Sequence, residues 1–292
     1  MSVAESFTGE DCDLLIALHA GRSADSISRF SLQHPDKPVV VAITGTDLHV
    51  ELKSPETAKV VESSLGVADR IVMLEPEGAK RLKAKLRKKI DVIYQSASRV
   101  DPKPVSLKRF FEVTVIGHLR EVKDPFRTAM AAKLLPEQSR VRVVHIGKAL
   151  SKKMEAAANR EMKMNSRYRW IGRLAHGAAQ KRLARSHLTV LSSQVEGAPS
   201  VISEAVVNDV PILATRIDAS IGLLGADFPG LFDVGDTQSL ARLIGLAESD
   251  ARFYRRLSAA GKKVKGQFSR TAETRSWKNL LRRFEKRLKN LD

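Results

Sequence analysis

Short apolar runs alternate with helical patterns along nearly the whole chain, and that alternation leaves few folds open. Residues 14–18, 39–43, 70–74 and 92–94 form brief apolar runs. Amphipathic segments at 23–33, 54–65 and 77–86 lie between them. Strands this short, separated by helices, imply a parallel sheet covered on both faces. The stretch 98–108, SRVDPKPVSLK, holds two prolines and no apolar period, and reads as a linker. The alternation then restarts. Strands are expected at 112–116, 142–146, 168–171, 188–191 and 211–214. Helices are expected at 125–135, 152–163, 178–185 and 201–207, with two more at 251–264 and 271–288. The fold class is therefore α/β, with two doubly wound Rossmann-like domains in tandem. The division expected is 1–104, 105–266 and a basic C-terminal helix, 267–292, packing back on the first domain.

Composition narrows the class further. A chain of 292 residues suits two domains. Its hydrophobic content of 43% supports ordinary cores. The single cysteine, Cys12, excludes an internal disulfide and any C-x-x-C pair, which points to a reducing compartment and a cytoplasmic location. The opening residues MSVAESF lack the basic and apolar segments of a secretory signal. The apolar runs fall far short of the roughly 20 residues of a spanning helix.

The formal net charge is +17, unevenly spread. Residues 251–292 carry 14 basic and 3 acidic side chains, and 80–89 carry seven basic ones. Such blocks attract phosphates, anionic lipid or nucleic acid, or form solvated helix faces. Residues 80–89 read as a helix with Leu82 and Leu86 inward and the lysines outward. With 5% aromatic residues there is little stacking surface for nucleic acid, and no nucleic-acid motif is present.

The chain has no G-x-x-x-x-G-K-S/T loop, no G-x-G-x-x-G, no H-E-x-x-H and no G-x-S-x-G. Its D-x-D, Asp11-Cys12-Asp13, reads as a polar lead-in to a strand, and no metal site is expected. In open parallel sheets, ligands lie beyond the C-terminal ends of the strands. His19 and the 44–47 turn occupy such positions in the first domain. In the second, Gly117-His118-Leu119-Arg120-Glu121-Val122-Lys123-Asp124-Pro125 follows a strand. Its Arg120, Lys123 and, when protonated, His118 suit a diphosphate, or form a solvated basic turn. Farther on, Glu196 lies in a post-strand loop and Glu204 about one turn into the next helix. The helix start between them, at Pro199-Ser200-Val201, offers backbone N–H groups to an anion. Carboxylates flanking such a point suit a nucleotide sugar, with ribose hydroxyls on one side and hexose hydroxyls on the other. The alternative is a loop acid and a surface helix residue.

At these residues the chain resembles the retaining GT-B glycosyltransferases of family GT4. Their pattern is G-R-L-x-x-x-K-G and then E-G-x-x-x-x-x-x-E-A leading to G-x-P-V. Here the first reads Gly117, His118, Leu119, Lys123 and Asp124. The second reads Glu196-Gly197 to Glu204-Ala205, with Pro211-Ile212 downstream. The resemblance implies that Lys123 binds donor phosphate, Glu196 the sugar hydroxyls and Glu204 the ribose. Gly117, His118, Arg120, Gly197, Ala198, Ser200 and Val201 complete the donor site. His118 stands where the family has arginine, and Asn208-Asp209 where many members have glycine. His19, Lys123 and Glu196 would be catalytic. The acceptor side would comprise His19, Arg22, Thr44, Gly45 and Asp47.

A narrower resemblance, to the selenosugar synthases of selenoneine biosynthesis, rests on Ala17-Leu18-His19-Ala20 with Arg22-Ser23-Ala24, Thr44-Gly45-Thr46-Asp47-Leu48, Val92-Ile93-Tyr94-Gln95-Ser96-Ala97, Gly117-His118-Leu119-Arg120 with Lys123-Asp124-Pro125, and Gly225-Ala226-Asp227. It implies transfer from a UDP-sugar to selenophosphate, forming a selenium–carbon bond without a metal or other cofactor. Domains of this kind usually open with a strand, a glycine-containing loop and a long helix. This chain opens at what corresponds to the second or third strand, so the first domain is expected to lack its first βαβ unit, which leaves the activity of the chain as written open. Other readings remain. One is a GT4 enzyme with a lipid-linked or polysaccharide acceptor, docked on an anionic membrane through its basic segments. Another is an inactive truncated scaffold, and a third a basic nucleic-acid-binding protein.

Overall fold

A computed structural model describes residues 2–101, 104–105, 109–285 and 287. The expected linker and the end of the expected last helix therefore lie partly outside the described residues. The chain groups into two units. The first runs through Gln95 and includes Glu196–Ala198 and the segment from Arg270 onward. The second comprises Ser96–Val195 and Pro199–Ser269. Residues at the start of the expected linker hydrogen-bond within the second unit. Ala97 N–H donates to Phe268 O at 3.1 Å, and Val100 N–H to Asn208 Oδ1 at 2.8 Å.

The first unit is built on four parallel strands in the order β1-β2-β3-β4: Leu15–Leu18, Val39–Ala42, Arg70–Met73 and Ile90–Val92. The continuous apolar run of β2 follows from burial on both faces. Alternate side chains point to opposite sides of a strand. Val39 and Val41 thus join one core with Ile27 and Phe30 of α1 (Ala24–Gln33) and with residues of α3 (Pro55–Val67). The four-residue α2 (Thr46–His49) lies between these helices in sequence. Val40 and Ala42 face the other way and meet Val72, Ile93, Leu280 and Phe284.

Leu280 belongs to α12 (Arg270–Arg282), so the C-terminal helix covers the second face of this sheet. Leu280 and Phe284 are almost fully buried. Burying two such side chains contributes roughly 3–6 kcal/mol, against about 0–1 kcal/mol for each exposed ion pair. Apolar contact therefore holds this segment. Its charge is partly matched: Arg283 lies 3.2 Å from Asp91 and Arg287 2.6 Å from Asp69.

The expected helix through the basic run 80–89 is not continuous. A 3-10 turn, Glu77–Arg81, ends at Leu82, whose backbone is extended (φ −90°, ψ 151°). α4 (Ala84–Arg87) follows. Leu82 and Leu86 are both buried as the apolar spacing requires. The break leaves the basic side chains near local acceptors. Lys89 Nζ donates to Gly66 O and Ala68 O at the end of α3, where cations complement unpaired carbonyls. Lys83 pairs with Glu62 at 2.7 Å.

The second unit carries six parallel strands in the order β10-β9-β8-β5-β6-β7. They are β5 (Phe111–Ile116), β6 (Val141–Ile146), β7 (Tyr168–Trp170), β8 (Leu188–Leu191), β9 (Ile212–Thr215) and β10 (Leu231–Phe232). The connecting helices are α5 (Arg127–Lys133), α6 (Lys152–Met164), α7 (His176–Arg185), α8 (Ser200–Val207) and α9 (Asp218–Leu224), followed by α10 (Thr237–Ser249) and α11 (Ala251–Val264). Counted from β5, the order is that of a doubly wound dinucleotide-binding sheet, with its switch point between β5 and β8. The elements α2, α9, β10 and α10 were not anticipated. α10 carried a signal: Asp236 caps it by accepting from Ser239 N–H at 2.8 Å, and Leu240, Leu243, Ile244 and Ala247 are its buried stripe.

Candidate active site

In the second unit the site residues gather where the switch point requires. Gly117 follows β5, and Ser192 and Ser193 follow β8. These residues line one small cavity with Lys123, Pro125 and His145. The loop after β5 runs alongside the loop after β6. Gly117 N–H donates to Ile146 O at 2.9 Å, Leu119 N–H to Lys148 O at 3.0 Å, and Lys148 N–H to His118 Nδ1 at 3.1 Å. Because His118 Nδ1 accepts, its neutral ring carries the proton on Nε2. Gly147 has no room for a side chain, since a Cβ would stand 1.9 Å from Gly117 O.

Arg120 is exposed, and a 3-10 turn, Glu121–Lys123, carries the chain on to Lys123. Lys123 is half-buried, and its Cδ lies 4.0 Å from where a Cβ on Gly117 would sit. Asp124 is left-handed (φ 43°, ψ 58°), which explains the glycine of the GT4 pattern at this position. Aspartate is among the few residues that tolerate this region, and Arg127 Nε holds its carboxylate at 2.7 Å. From the next loop, Ser192 Oγ donates to Lys123 O and Asp124 O at 3.2 and 3.0 Å. Gln194 N–H donates to Val122 O at 2.9 Å.

α8 starts without a side-chain cap, Pro199 standing at the cap position itself, one residue earlier than a first-turn proline. Ser200 is exposed and Val201 buried. Glu204, five residues in, is 8% exposed, so it is not a solvated surface acid. Burial raises its pKa. The nearby His176 and hydrogen bonds from Ser200 and Gln180 act in the opposite direction. Asn208 ends this helix by donating Nδ2–H to Glu204 O at 2.8 Å, and the left-handed residue that follows is Asp209 (φ 55°). The left-handed position after this helix is one that favours glycine, and Asp209 tolerates it as Asp124 does.

In the first unit, His19 follows β1 in a left-handed conformation (φ 76°) and is 4% exposed. Its Nδ1 accepts from Arg22 N–H at 3.1 Å, which leaves the ring proton on Nε2, 2.7 Å from Thr46 Oγ1. Glu51 Oε1 lies 3.6 Å from the same nitrogen. Asp47 is fully buried. Its carboxylate accepts N–H groups of Ala20, Thr44, Gly45 and Leu48 at 2.8–3.2 Å. Asp47 therefore shapes the post-strand loops from within. Arg22 is exposed and contributes its backbone to His19. Gly45 is left-handed (φ 123°), as a residue without a Cβ allows. Glu196, Gly197 and Ala198 are half-buried and group with this unit.

Sequence reasoning missed Thr46 and Glu51 beside His19, Gln180 and His176 beside Glu204, and His145 beneath Gly117. Among the described residues, no cluster of three or more His, Cys, Asp or Glu side chains could hold a metal ion. Asp11 of the D-x-D pairs with Lys37 at 3.0 Å. No described helix is long and apolar enough to cross a membrane.

Two parallel α/β sheets, the second with its loops converging at the switch point, define the GT-B glycosyltransferase fold. The family model for glycosyl transferases group 1 matches residues 98–264, and the chain belongs to that family. Among solved structures, Anabaena HepE in complex with UDP is similar at 16% identity and a TM-score of 0.75, covering 92% of this chain and 78% of that one. Sucrose-phosphate synthase from Thermosynechococcus elongatus has 16% identity and a TM-score of 0.74, covering 93% and 73%. A UDP-forming α,α-trehalose-phosphate synthase from Burkholderia vietnamiensis has 11% and 0.70, covering 94% and 74%. Identities this low speak for the fold alone. Comparison with curated proteins finds no significant match.

Proposed function

We propose that this glycosyltransferase takes its sugar from a UDP-sugar, the nucleotide being held by the second unit. The observation that carries the reading is the buried Glu204 in α8, in the same unit as the pinned loop of Gly117, His118, Arg120 and Lys123. A buried carboxylate at such a point suits ribose hydroxyls, which would replace the water it has lost. Lys123 and the uncapped start of α8 at Ser200 and Val201 suit the diphosphate. As the bond from the anomeric carbon to the diphosphate oxygen breaks, negative charge builds on UDP. Lys123 and the helix start stabilise that charge, so the step needs no metal ion. Glu196 binds sugar hydroxyls, with Gly197 and Ala198 shaping its loop. HepE has been solved with UDP, with UDP-glucose, and with UDP and glucose, which supports the choice of donor.

The acceptor we propose is selenophosphate, in the cytoplasm, on the resemblance to selenosugar synthases. Its selenium forms the new bond to the anomeric carbon while UDP leaves, with no net oxidation or reduction. His19, fixed by Thr46 and Arg22, orients the acceptor or a sugar hydroxyl. Arg22, Thr44 and Gly45 line the acceptor side, and Asp47 holds their loops. A UDP-sugar panel offered with selenophosphate, phosphate, thiophosphate and a prenyl-phosphate sugar, read by mass spectrometry, tests this. A product with selenium on the anomeric carbon, either the Se-glycosyl selenophosphate or the selenosugar and phosphate left when water cleaves its P–Se bond, supports the reading. Transfer to the prenyl-linked sugar alone would move the assignment to a lipid-linked acceptor.

A further inference from the structure

His145 sits in β6 among apolar residues and is 1% exposed. An imidazole there is costly unless both nitrogens have partners. Both do: Nε2 lies 3.0 Å from Gly117 O and Nδ1 3.0 Å from Tyr168 Oη. A carbonyl oxygen can only accept, so Nε2 carries the proton toward Gly117 O and Nδ1 accepts from the tyrosine hydroxyl, with the Pro125 carbonyl a further acceptor beside the ring. Burial depresses the His145 pKa to about 4 and pushes that of Tyr168 up, so the pair holds this one arrangement at neutral pH.

The Gly117 carbonyl belongs to the peptide that opens the basic loop. In a trans peptide the N–H points opposite to the C=O. With Gly117 O turned toward β6, the His118 N–H is turned away from β6, and β8 lies on that other side of β5. Leu119 N–H is committed to Lys148 O, whereas the His118 N–H meets no acceptor among the described residues. We propose that His145, oriented by Tyr168, is a positioning residue for the donor site. It fixes the peptide plane between Gly117 and His118, so that the His118 amide faces an anionic ligand over the ends of β5 and β8. The ligand identity rests on the nucleotide reading above; the ordering of the loop does not.

Two substitutions separate this role from mere packing. In His145→Gln the amide nitrogen falls where Nε2 was and can still donate to Gly117 O. In His145→Asn it falls near the Nδ1 position and cannot reach. Hydrogen–deuterium exchange of the ligand-free intact chain, followed over residues 117–124, is expected to speed up in the Asn variant and stay near wild type in the Gln variant. UDP affinity by calorimetry is expected to fall about fivefold for Asn and to change less than about twofold for Gln, in line with one hydrogen bond. If the Asn variant does not fold, Tyr168→Phe, which removes the orienting hydroxyl, is expected to loosen the same segment. Equal behaviour of Asn and Gln, or exchange in 117–124 unchanged by Asn or Phe, would overturn the proposal. A wild-type chain that binds no UDP would instead sink the nucleotide reading, and the exchange data would still decide the role of His145.

Discussion

Arg182 grips Glu112 through two hydrogen bonds, Nε to Oε1 at 2.8 Å and Nη2 to Oε2 at 2.5 Å. Glu112 is 3% exposed on β5, the strand that delivers Gly117 to the site. Arg185 approaches the same carboxylate at 3.7 Å, so two cations of α7 depend on one buried anion. Removing one member of a buried pair costs about 3 kcal/mol, because the other charge is left behind. Glu112→Ala should lower the urea stability by that order, and Glu112→Gln by less. A loss below about 0.5 kcal/mol for alanine would mean the pair contributes no more than an exposed one.

His145 links stability to pH. Its folded pKa of about 4 lies below the ordinary 6.5, so between those values the unfolded chain binds more protons than the folded one. The contribution is complete above the ordinary value and is lost as pH falls toward the folded one, roughly 3 kcal/mol in all. His145→Gln has no proton to gain there. Its stability should fall less steeply from pH 6.5 to 4 than that of the wild type. Parallel acid-unfolding curves would contradict this.

Glu204 acts with the opposite sign. Burial raises its pKa, so the folded chain binds more protons than the unfolded one between the ordinary glutamate value and the raised value. Stability from this group is full below that window and lost as pH rises through it. At neutral pH a charged carboxylate here weakens the fold. Glu204→Gln should therefore melt at the same or a higher temperature at pH 7, while binding UDP at least about tenfold less tightly, through loss of charged hydrogen bonds. A marked fall in melting temperature would make Glu204 a structural residue.

Much of this was legible in the sequence, for local reasons. Apolar runs bounded by Gly, Pro and Asp placed nearly every strand, and the signal is clearest where a strand such as β2, β8 or β9 is buried on both faces. The loop from Gly117 to Lys123 could be found because its position after a strand is itself local information. What sequence could not carry was pairing at a distance. His145 meets Tyr168 and Gly117 because β6 lies between β5 and β7, an order that the chain sets through its crossovers. Glu51 reaches His19 through the turn around the buried Asp47, whose carboxylate accepts the N–H groups of the neighbouring loops. The break at Leu82 was hidden for another reason: Leu82 and Leu86 keep helical spacing, and both are buried although the chain between them is not one helix.

The loops at the ends of β5 and β8 are expected to hold a nucleoside diphosphate. Calorimetric titration of UDP and of uridine into wild type and Lys123→Ala tests it most directly. The wild type is expected to bind UDP measurably and uridine more weakly. UDP affinity is expected to fall about tenfold or more in Lys123→Ala, in line with one or two charge-assisted bonds, with uridine affected much less. Absence of UDP binding to the wild-type chain, or equal UDP affinity in the two proteins, would contradict it.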